Sequence, residues 1–523
     1  MNPSRRRAWY QALSSLPLIA VMLSIGAPVG AASLTTQTSL PLRDGSLANA
    51  EPYLYAAADF GIDPAAVTYY KDIAPILREN CVKCHTTNGM APMALSTYQE
   101  VRRWSQRIKE RTAIRDRRGA MPPFFIERNI GIQEFRDSEY LEDEELAKIQ
   151  AWVDNGSPEG NPADALALSE SSGEPAQSWS GGVPWELGEP DLIIPMDPVT
   201  VPIVGPDQWG DFGMLPTGLT VDRYVKAVQV REVSDLSFDD PALANTVGGR
   251  FVWHHMNYGV RVLDEDGNVT GQRISYPVHE VGRNADIFPD EVGYPLPANS
   301  VVHLNNGHFR PNQFRETTAH LEFGFYFHPK DYEPKYRRRG SLSMGNDVDV
   351  YARPGETNQR FETFTVLDQH TKFYVWEPHL HAPGMRACIE AVWGPVVHTL
   401  NCAGYDHNWV KQYLYAPGSE PLLPKGTVVR YVAYLDTTDN NENMADNRNW
   451  QGSGRRSQAN MFLELGWVVR LTDEEFQAEM AVRRAAMKDR NDFDIGCPLC
   501  WAFEEESFDT RPAADDSGGG GAP

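Results

Sequence analysis

Apolar and polar residues alternate along this chain with two different periods, and the change falls near Trp185. Before it the period is helical. Ile73, Ile76 and Leu77 share one helix face, Val101, Trp104 and Ile108 form a second stripe, and Leu146, Ile149 and Val153 form a third that Gly156 stops. Ser96 and Gln99 have the spacing of a capping box ahead of the second stripe. The spacing predicts a small all-α domain over residues 65–157. Residues 158–183 are rich in Gly, Ser, Pro, Glu and Ala and hold too little apolar surface to fold, so a linker is expected there. Past Trp185 the period shortens to two, as in Tyr224-Val225-Lys226-Ala227-Val228-Gln229-Val230, with Pro, Gly, Asn and Asp between runs. That pattern predicts antiparallel β-sandwich structure. Leu296-Pro297-Ala298-Asn299-Ser300 and Leu423-Pro424-Lys425-Gly426-Thr427 echo each other ahead of strand-like runs. Two similar sandwiches in tandem, over 184–344 and 345–475, would produce that echo. A C-terminal extension, 476–523, ends in a glycine-rich tail expected to be disordered.

One pentapeptide in the helical part carries chemistry. Cys81-Val82-Lys83-Cys84-His85 is C-x-x-C-H, the signature of covalent haem attachment. The two thiols bond the haem vinyl groups and His85 lies beneath the iron. The all-α domain is therefore expected to be a c-type cytochrome with one haem c. Met121, in Gly119-Ala120-Met121-Pro122-Pro123, is the expected sixth ligand, with Met90 and Met93 as rivals.

The ends and the charge fix the setting. Arg5, Arg6 and Arg7 precede an apolar run from Leu16 to Ile25, and Val29-Gly30-Ala31 offers small residues for cleavage. Residues 1–31 are read as a secretory signal peptide, since the run is short for a membrane span. A periplasmic or secreted protein without stable membrane insertion is expected, as haem c attachment also requires. The formal charge is −23, which makes nucleic acid an unsuitable partner. Arg102, Arg103, Arg107, Lys109, Arg111, Arg115, Arg117 and Arg118 form a local basic group, read as a solvated helix face or as a contact for haem propionates or an acidic redox partner.

Thirteen histidines are present, and all but His85 lie from His254 onward. His254 and His255 are adjacent, His308 precedes Phe309, and His379-Leu380-His381 is an H-x-H. On a strand, H-x-H projects both rings from one face, a two-nitrogen metal clip. Adjacent histidines on a regular strand point apart, so both can serve one metal only where the backbone is distorted.

This ligand order, together with Met461 in Ala459-Asn460-Met461-Phe462, resembles the copper type II ascorbate-dependent monooxygenase family, which includes peptidylglycine α-hydroxylating and dopamine β-monooxygenases. Tyr405-Asp406-His407-Asn408-Trp409 and Leu423-Pro424-Lys425-Gly426-Thr427 also resemble bacterial relatives with an N-terminal cytochrome. The resemblance covers roughly residues 65–475. It implies two jelly-roll sandwiches and two copper ions. His254, His255 and His308 would hold the electron-transfer copper; His379, His381 and Met461 would hold the copper that meets O2. It implies a small organic substrate and an electron donor, either an ascorbate-like reductant or a redox protein. Imidazole and thioether ligands together suit copper better than zinc. His279, His303, His320, His328, His370 and His398 are left as structural residues, with His303 the replacement should His308 fail. Met256, Met385 and Met444 are rivals to Met461. The likeness breaks at the substrate: an arginine of the peptide-hydroxylating member falls here on Glu377, and an asparagine and a tyrosine fall on Leu463 and Leu465. A glycine-extended peptide is therefore not the expected substrate, and a neutral or cationic one is.

The remaining cysteines suit an exported protein. Cys388 and Cys402 flank a hairpin and are placed for a cross-strand disulfide. Cys497-Pro498-Leu499-Cys500 lacks the trailing histidine of a haem site and reads as a disulfide clamp or a redox motif. Cys402 and His407, with Gln412, also have the spacing of a blue-copper loop. The leading expectation is an exported copper monooxygenase that hydroxylates a C–H bond with electrons relayed from its own haem. The alternative is a non-catalytic haem and copper electron-transfer or copper-handling protein.

Overall fold

Thr97, and not Ser96, caps the second helix. Its side chain accepts from the Glu100 backbone, and Glu100 reaches back to the Thr97 backbone. The capping box thus lies one residue beyond the Ser96–Gln99 expectation, because Thr97 is the last extended residue before the helix. The computed structural model describes residues 52–82, 84–85, 91, 93–136, 138, 140–166, 185, 187–235, 251–280, 285–311, 315–337, 339–342, 344–407, 409–444, 452–454 and 458–487. The signal-peptide region, most of the linker, Met90, Cys497 and Cys500 lie outside these.

Three helices form as the apolar stripes predict: α1 (Ala74–Asn80), α2 (Tyr98–Thr112) and α3 (Asp143–Asp154). Ile73, Ile76, Leu77, Val101, Ile108, Ile149 and Trp152 share one core. Gly156, at φ 81°, follows α3 in the left-handed region that lets a helix end. The basic group is not a simple solvated face. Arg102, Arg103 and Arg107 are exposed, but Arg115 and Arg117 are buried. Arg115 pairs with Asp143 at 2.7 Å, so part of the cluster ties the segment after α2 to α3.

The rest is mostly β-sheet. Two six-stranded sheets follow. One runs through Leu192–Pro195, Thr317–Phe327, Arg223–Ser234 and Tyr294–Leu296; the other through Gln208–Gly210, Ser300–Phe309, Trp253–Leu263 and Val269–Ser275. Val228, Val230, Phe323 and Phe325 of the first share a core with Tyr258, Val260, Val302 and Leu304 of the second. A four-stranded sheet from the later half orders Gln359–Val366, Val428–Leu435, Gly384–Trp393 and Val396–Gly404. Its core takes in Phe124, Phe125, Ile126, Ile132 and Phe135 from the segment between α2 and α3. Glu127 of that segment is buried against Arg386, with Arg386 Nη2 donating to its carboxylate at 2.9 Å. The segment following Met121 is thus part of the β-structure's core. Among the described residues no helix is long and apolar enough to cross a membrane.

The two echoed segments form the same kind of turn. Ser300 Oγ donates to the Pro297 carbonyl at 2.6 Å, and Thr427 Oγ1 donates to the Pro424 carbonyl at 2.7 Å. The fourth residue of each motif has positive φ, Asn299 at 49° and Gly426 at 87°. Each turn feeds a long central strand, Ser300–Phe309 or Val428–Leu435.

Candidate metal centre

His254 and His255 reach one site because the strand is distorted there. The pairing of Trp253–Leu263 with Ser300–Phe309 sets His308 opposite His255 and Phe309 opposite Trp253. His254 is the extra residue, a β-bulge that turns its ring toward the same side as its neighbour. A second irregularity lies at Asn306, whose φ of 58° lets the partner strand bend with it. The ligand atoms of His254, His255 and His308 all lie within 4.8 Å of one another. His308 is clamped on two sides. Its Nε2 meets the Asp207 carboxylate at 2.9 Å, and its ring stacks on Trp209 with centroids 3.9 Å apart. Nδ1 is then the nitrogen left for a metal, with Asp207 fixing the tautomer.

The H-x-H strand pairs with the strand that follows Met461. The strand pairing sets Pro378 opposite Glu464, His379 opposite Leu463 and Leu380 opposite Phe462. The ladder ends there; His381 follows Leu380 and Met461, a buried residue, precedes Phe462. The Ala459 backbone also hydrogen-bonds the His381 ring. The His379 and His381 centroids are 5.5 Å apart. Alternation places Glu377 on the same face, with Leu465 bonded to its backbone carbonyl at 2.9 Å. Glu377 accepts from Gln412 Nε2 at 2.6 Å.

Sequence reasoning did not place three neighbours at this centre. Glu280 is buried, pairs with His255 in register, and brings a carboxylate oxygen within 3.3 Å of His379 Nδ1. Asp207 holds His308. His407 lies 4.8 Å from His254 and 6.0 Å from His381, centroid to centroid. Glu280 and Asp207 have no sequence neighbour that marks them, whereas His407 was singled out in Tyr405-Asp406-His407-Asn408-Trp409 and in the Cys402–His407 spacing, but not as a neighbour of the histidine cluster. His303, the replacement for His308, is turned elsewhere: its Nε2 meets Asp211 at 2.7 Å. The blue-copper reading of Cys402 fails, because Cys402 is in a disulfide with Cys388 and has no thiolate to give. Gln412, bonded to Glu377, is likewise occupied.

The electrostatics favour neutral rings. Burial lowers the His255 pKa to about 4, with Glu280 opposing and His308 and His379 assisting. Burial, then His379 and Arg310, lowers His407 to about 3. Burial, followed by neighbouring imidazoles, also holds His254 and His381 well below the usual range. Neutral imidazole is the form that binds metal. Six buried ring nitrogens here have no hydrogen-bond partner: both of His254, both of His407, and Nδ1 of His308 and His381. Buried polar atoms are normally paired. Convergent, neutral and unpaired imidazoles fit a transition-metal donor set.

The residues of the C-x-x-C-H motif and Met121 have defined local contacts. His85 is buried and its Nδ1 lies 3.0 Å from the Met93 carbonyl. Donation through Nδ1 leaves Nε2 as the ligating nitrogen. Cys81 and Cys84 follow α1 in a turn, with the His85 N–H donating to the Cys81 carbonyl at 2.9 Å. Met121 is half-buried and its N–H donates to the Arg111 carbonyl at 3.1 Å. Cys84 and Met121 lie against the same core.

No family model matches this chain, and no curated protein matches it. Among solved structures it is similar to A223, a turret protein in Sulfolobus turreted icosahedral virus, at 8% identity over 53% of this chain and 97% of that one, with a TM-score of 0.12. At that score the likeness supports nothing about fold or function.

Proposed function

We propose that this chain is an exported copper-dependent monooxygenase of the copper type II ascorbate-dependent kind, with a fused c-type cytochrome and two tandem jelly-roll sandwiches. The observation that carries the reading is the convergence of buried, unpaired imidazoles in the β-structure, with Met461 just ahead of the strand that pairs with the H-x-H. His254, His255 and His308 would hold one copper, and His379, His381 and Met461 the other. Copper bound there would supply the one-electron chemistry that activates O2 and inserts one oxygen atom into a substrate C–H bond. Cys81, Cys84, His85 and Met121 would hold haem c, which would supply electrons, drawn in turn from a small reductant or a redox protein.

The chain's own residues do the rest. Asp207 and Trp209 orient His308. Burial keeps the rings neutral and ready to ligate. The segment that follows Met121 is packed into the β-core, and Gly119 donates its N–H to Asp406, one residue before His407. That contact supports a short path between haem and copper. Glu377, Leu465 and Leu463 line the face of the H-x-H strand with a carboxylate and two apolar side chains. Such a face repels a substrate carboxylate and suits a neutral or cationic molecule.

Labelled dioxygen tests the reading. The copper-loaded, reduced protein should transfer one labelled oxygen atom to a member of a neutral or amine compound library. Dioxygen uptake that no substrate stimulates, with reversible haem and copper reduction, would instead assign the carrier function. Turnover of a C-terminal glycine peptide as fast as of any amine or neutral compound would overturn the substrate class.

A further inference from the structure

We propose that Glu232 is a positioning residue for the first metal site: its carboxylate holds the backbone in the bulged shape that lets the adjacent His254 and His255 serve one ion. This role rests on the copper-site reading above and adds a residue that the ligand pattern does not contain.

A regular strand cannot present neighbouring side chains to one ion, because successive residues point to opposite faces. Its successive N–H groups likewise point to opposite edges. Just ahead of His254 that alternation is broken. The Val252 N–H donates to one oxygen of Glu232 and the Trp253 N–H to the other, each at 3.0 Å. Two consecutive amides that converge on one carboxylate make an anion-binding concavity that a regular strand does not offer.

Glu232 comes from the other sheet. It lies on Arg223–Ser234, opposite Leu321, whereas both histidines lie on Trp253–Leu263. Alternation puts it on the same face as Val228 and Val230, which pack in the core. A third valine there would serve packing better, since a buried carboxylate is costly unless it is hydrogen-bonded. Glu232 is buried and spends both oxygens on the two amides before the bulge. Arg310 ties this support to that of His308. Its N–H donates to the Val252 carbonyl at 2.9 Å, so Val252 is held through both its N–H and its C=O. Its guanidinium acts electrostatically on the carboxylates of both Glu232 and Asp207, and Asp207 is the group that holds His308. Without Glu232 the two amides lose their acceptor, and the strand is free to straighten and turn His254 away from His255.

The test uses the full haem-containing chain carrying His379→Ala and His381→Ala, so that copper loads at the first site alone. Affinity is measured by chelator competition, and imidazoles bound to Cu(II) are counted by pulsed EPR. Three imidazoles are expected in this parent. Glu232→Gln keeps the volume but offers one carbonyl oxygen to two amides. It should lose one imidazole from the count and bind copper about 10- to 100-fold more weakly. Val230→Ala loosens the same core without touching the bulge, and should keep three imidazoles and the parent's affinity. Three imidazoles and unchanged affinity in Glu232→Gln overturn the role, as does an equal loss in Val230→Ala. Should Glu232→Gln not fold, hydrogen exchange in the parent decides. The Val252 and Trp253 amides should exchange as slowly as the paired amides of Trp253–Leu263, and fast exchange overturns the role. A parent that binds no copper overturns the first-site reading and this role with it. A parent with three imidazoles and an unaffected Glu232→Gln overturns this role alone.

Discussion

Gly119 donates its backbone N–H to the carboxylate of Asp406 at 3.3 Å. The two residues are far apart in sequence. Gly119 lies two residues before the candidate haem ligand Met121, and Asp406 immediately precedes His407. The approach is tight nearby as well: a Cβ added at Gly404 would lie 2.3 Å from the Asp116 carbonyl. If electrons pass from haem to the histidine cluster, this is where the two segments touch. Asp406→Ala should slow haem-to-copper transfer about tenfold, within the range of losses for residues that support a metal site. Stopped-flow reduction of the haem followed by its reoxidation measures this, and an unchanged haem spectrum shows that the cytochrome is intact.

Asp207 fixes His308 from behind. Asp207→Ala should weaken copper binding at the first site by about 10- to 100-fold. His303→Ala removes a histidine of the same strand that pairs with Asp211 instead, and should leave copper affinity unchanged. Competition with a chelator of known affinity distinguishes the two.

The metal-free protein should lose stability on mild acidification. His255 has a folded pKa of about 4 against an ordinary 6.5. The unfolded chain therefore takes up a proton that the folded chain refuses, and stability falls as pH drops from about 6.5 to about 4. His255→Gln should flatten that part of the pH–stability curve, read from denaturant midpoints at closely spaced pH values. An unchanged slope would show that His255 titrates normally in the fold.

Glu464 has the opposite sign. It is buried, and burial raises its pKa to about 8, with Glu377 adding to the rise and the backbones of Gly466 and Glu377 opposing it. The unfolded carboxyl ionises above about 4.5 while the folded one stays protonated, so stability is lost as pH rises from about 4.5 to 8. Gln can still accept from the Gly466 N–H, now 2.8 Å away. Glu464→Gln should raise the melting temperature by about 2–4 °C at pH 8 and by little at pH 4.5.

The Cys388–Cys402 disulfide joins directly opposed residues of two neighbouring strands. Its loop spans a sequence separation of 14. Replacing both cysteines with alanine should cost about 3 kcal/mol in denaturant unfolding. Copper stoichiometry should be unaffected, since neither sulfur is a ligand.

Sequence alone determined what is local in this protein. The helical stripes, the change of period near Trp185, the haem pentapeptide and the H-x-H clip all depend on spacings of a few residues. The two proline turns at Leu296–Ser300 and Leu423–Thr427 were legible for the same reason, since each closes its hydrogen bond within itself. Sequence also showed that His254 and His255 could share a metal only on distorted backbone. Only the tertiary structure decided that the distortion exists, because a bulge is a property of two paired strands. It alone brought Asp207 to His308, Glu280 to His379, and His407 between the two histidine sets. It also buried Arg115 and Arg117, which charge by itself had left on a surface. Those placements are set by sheet register and by how separate segments pack, and no short-range pattern along a chain encodes either.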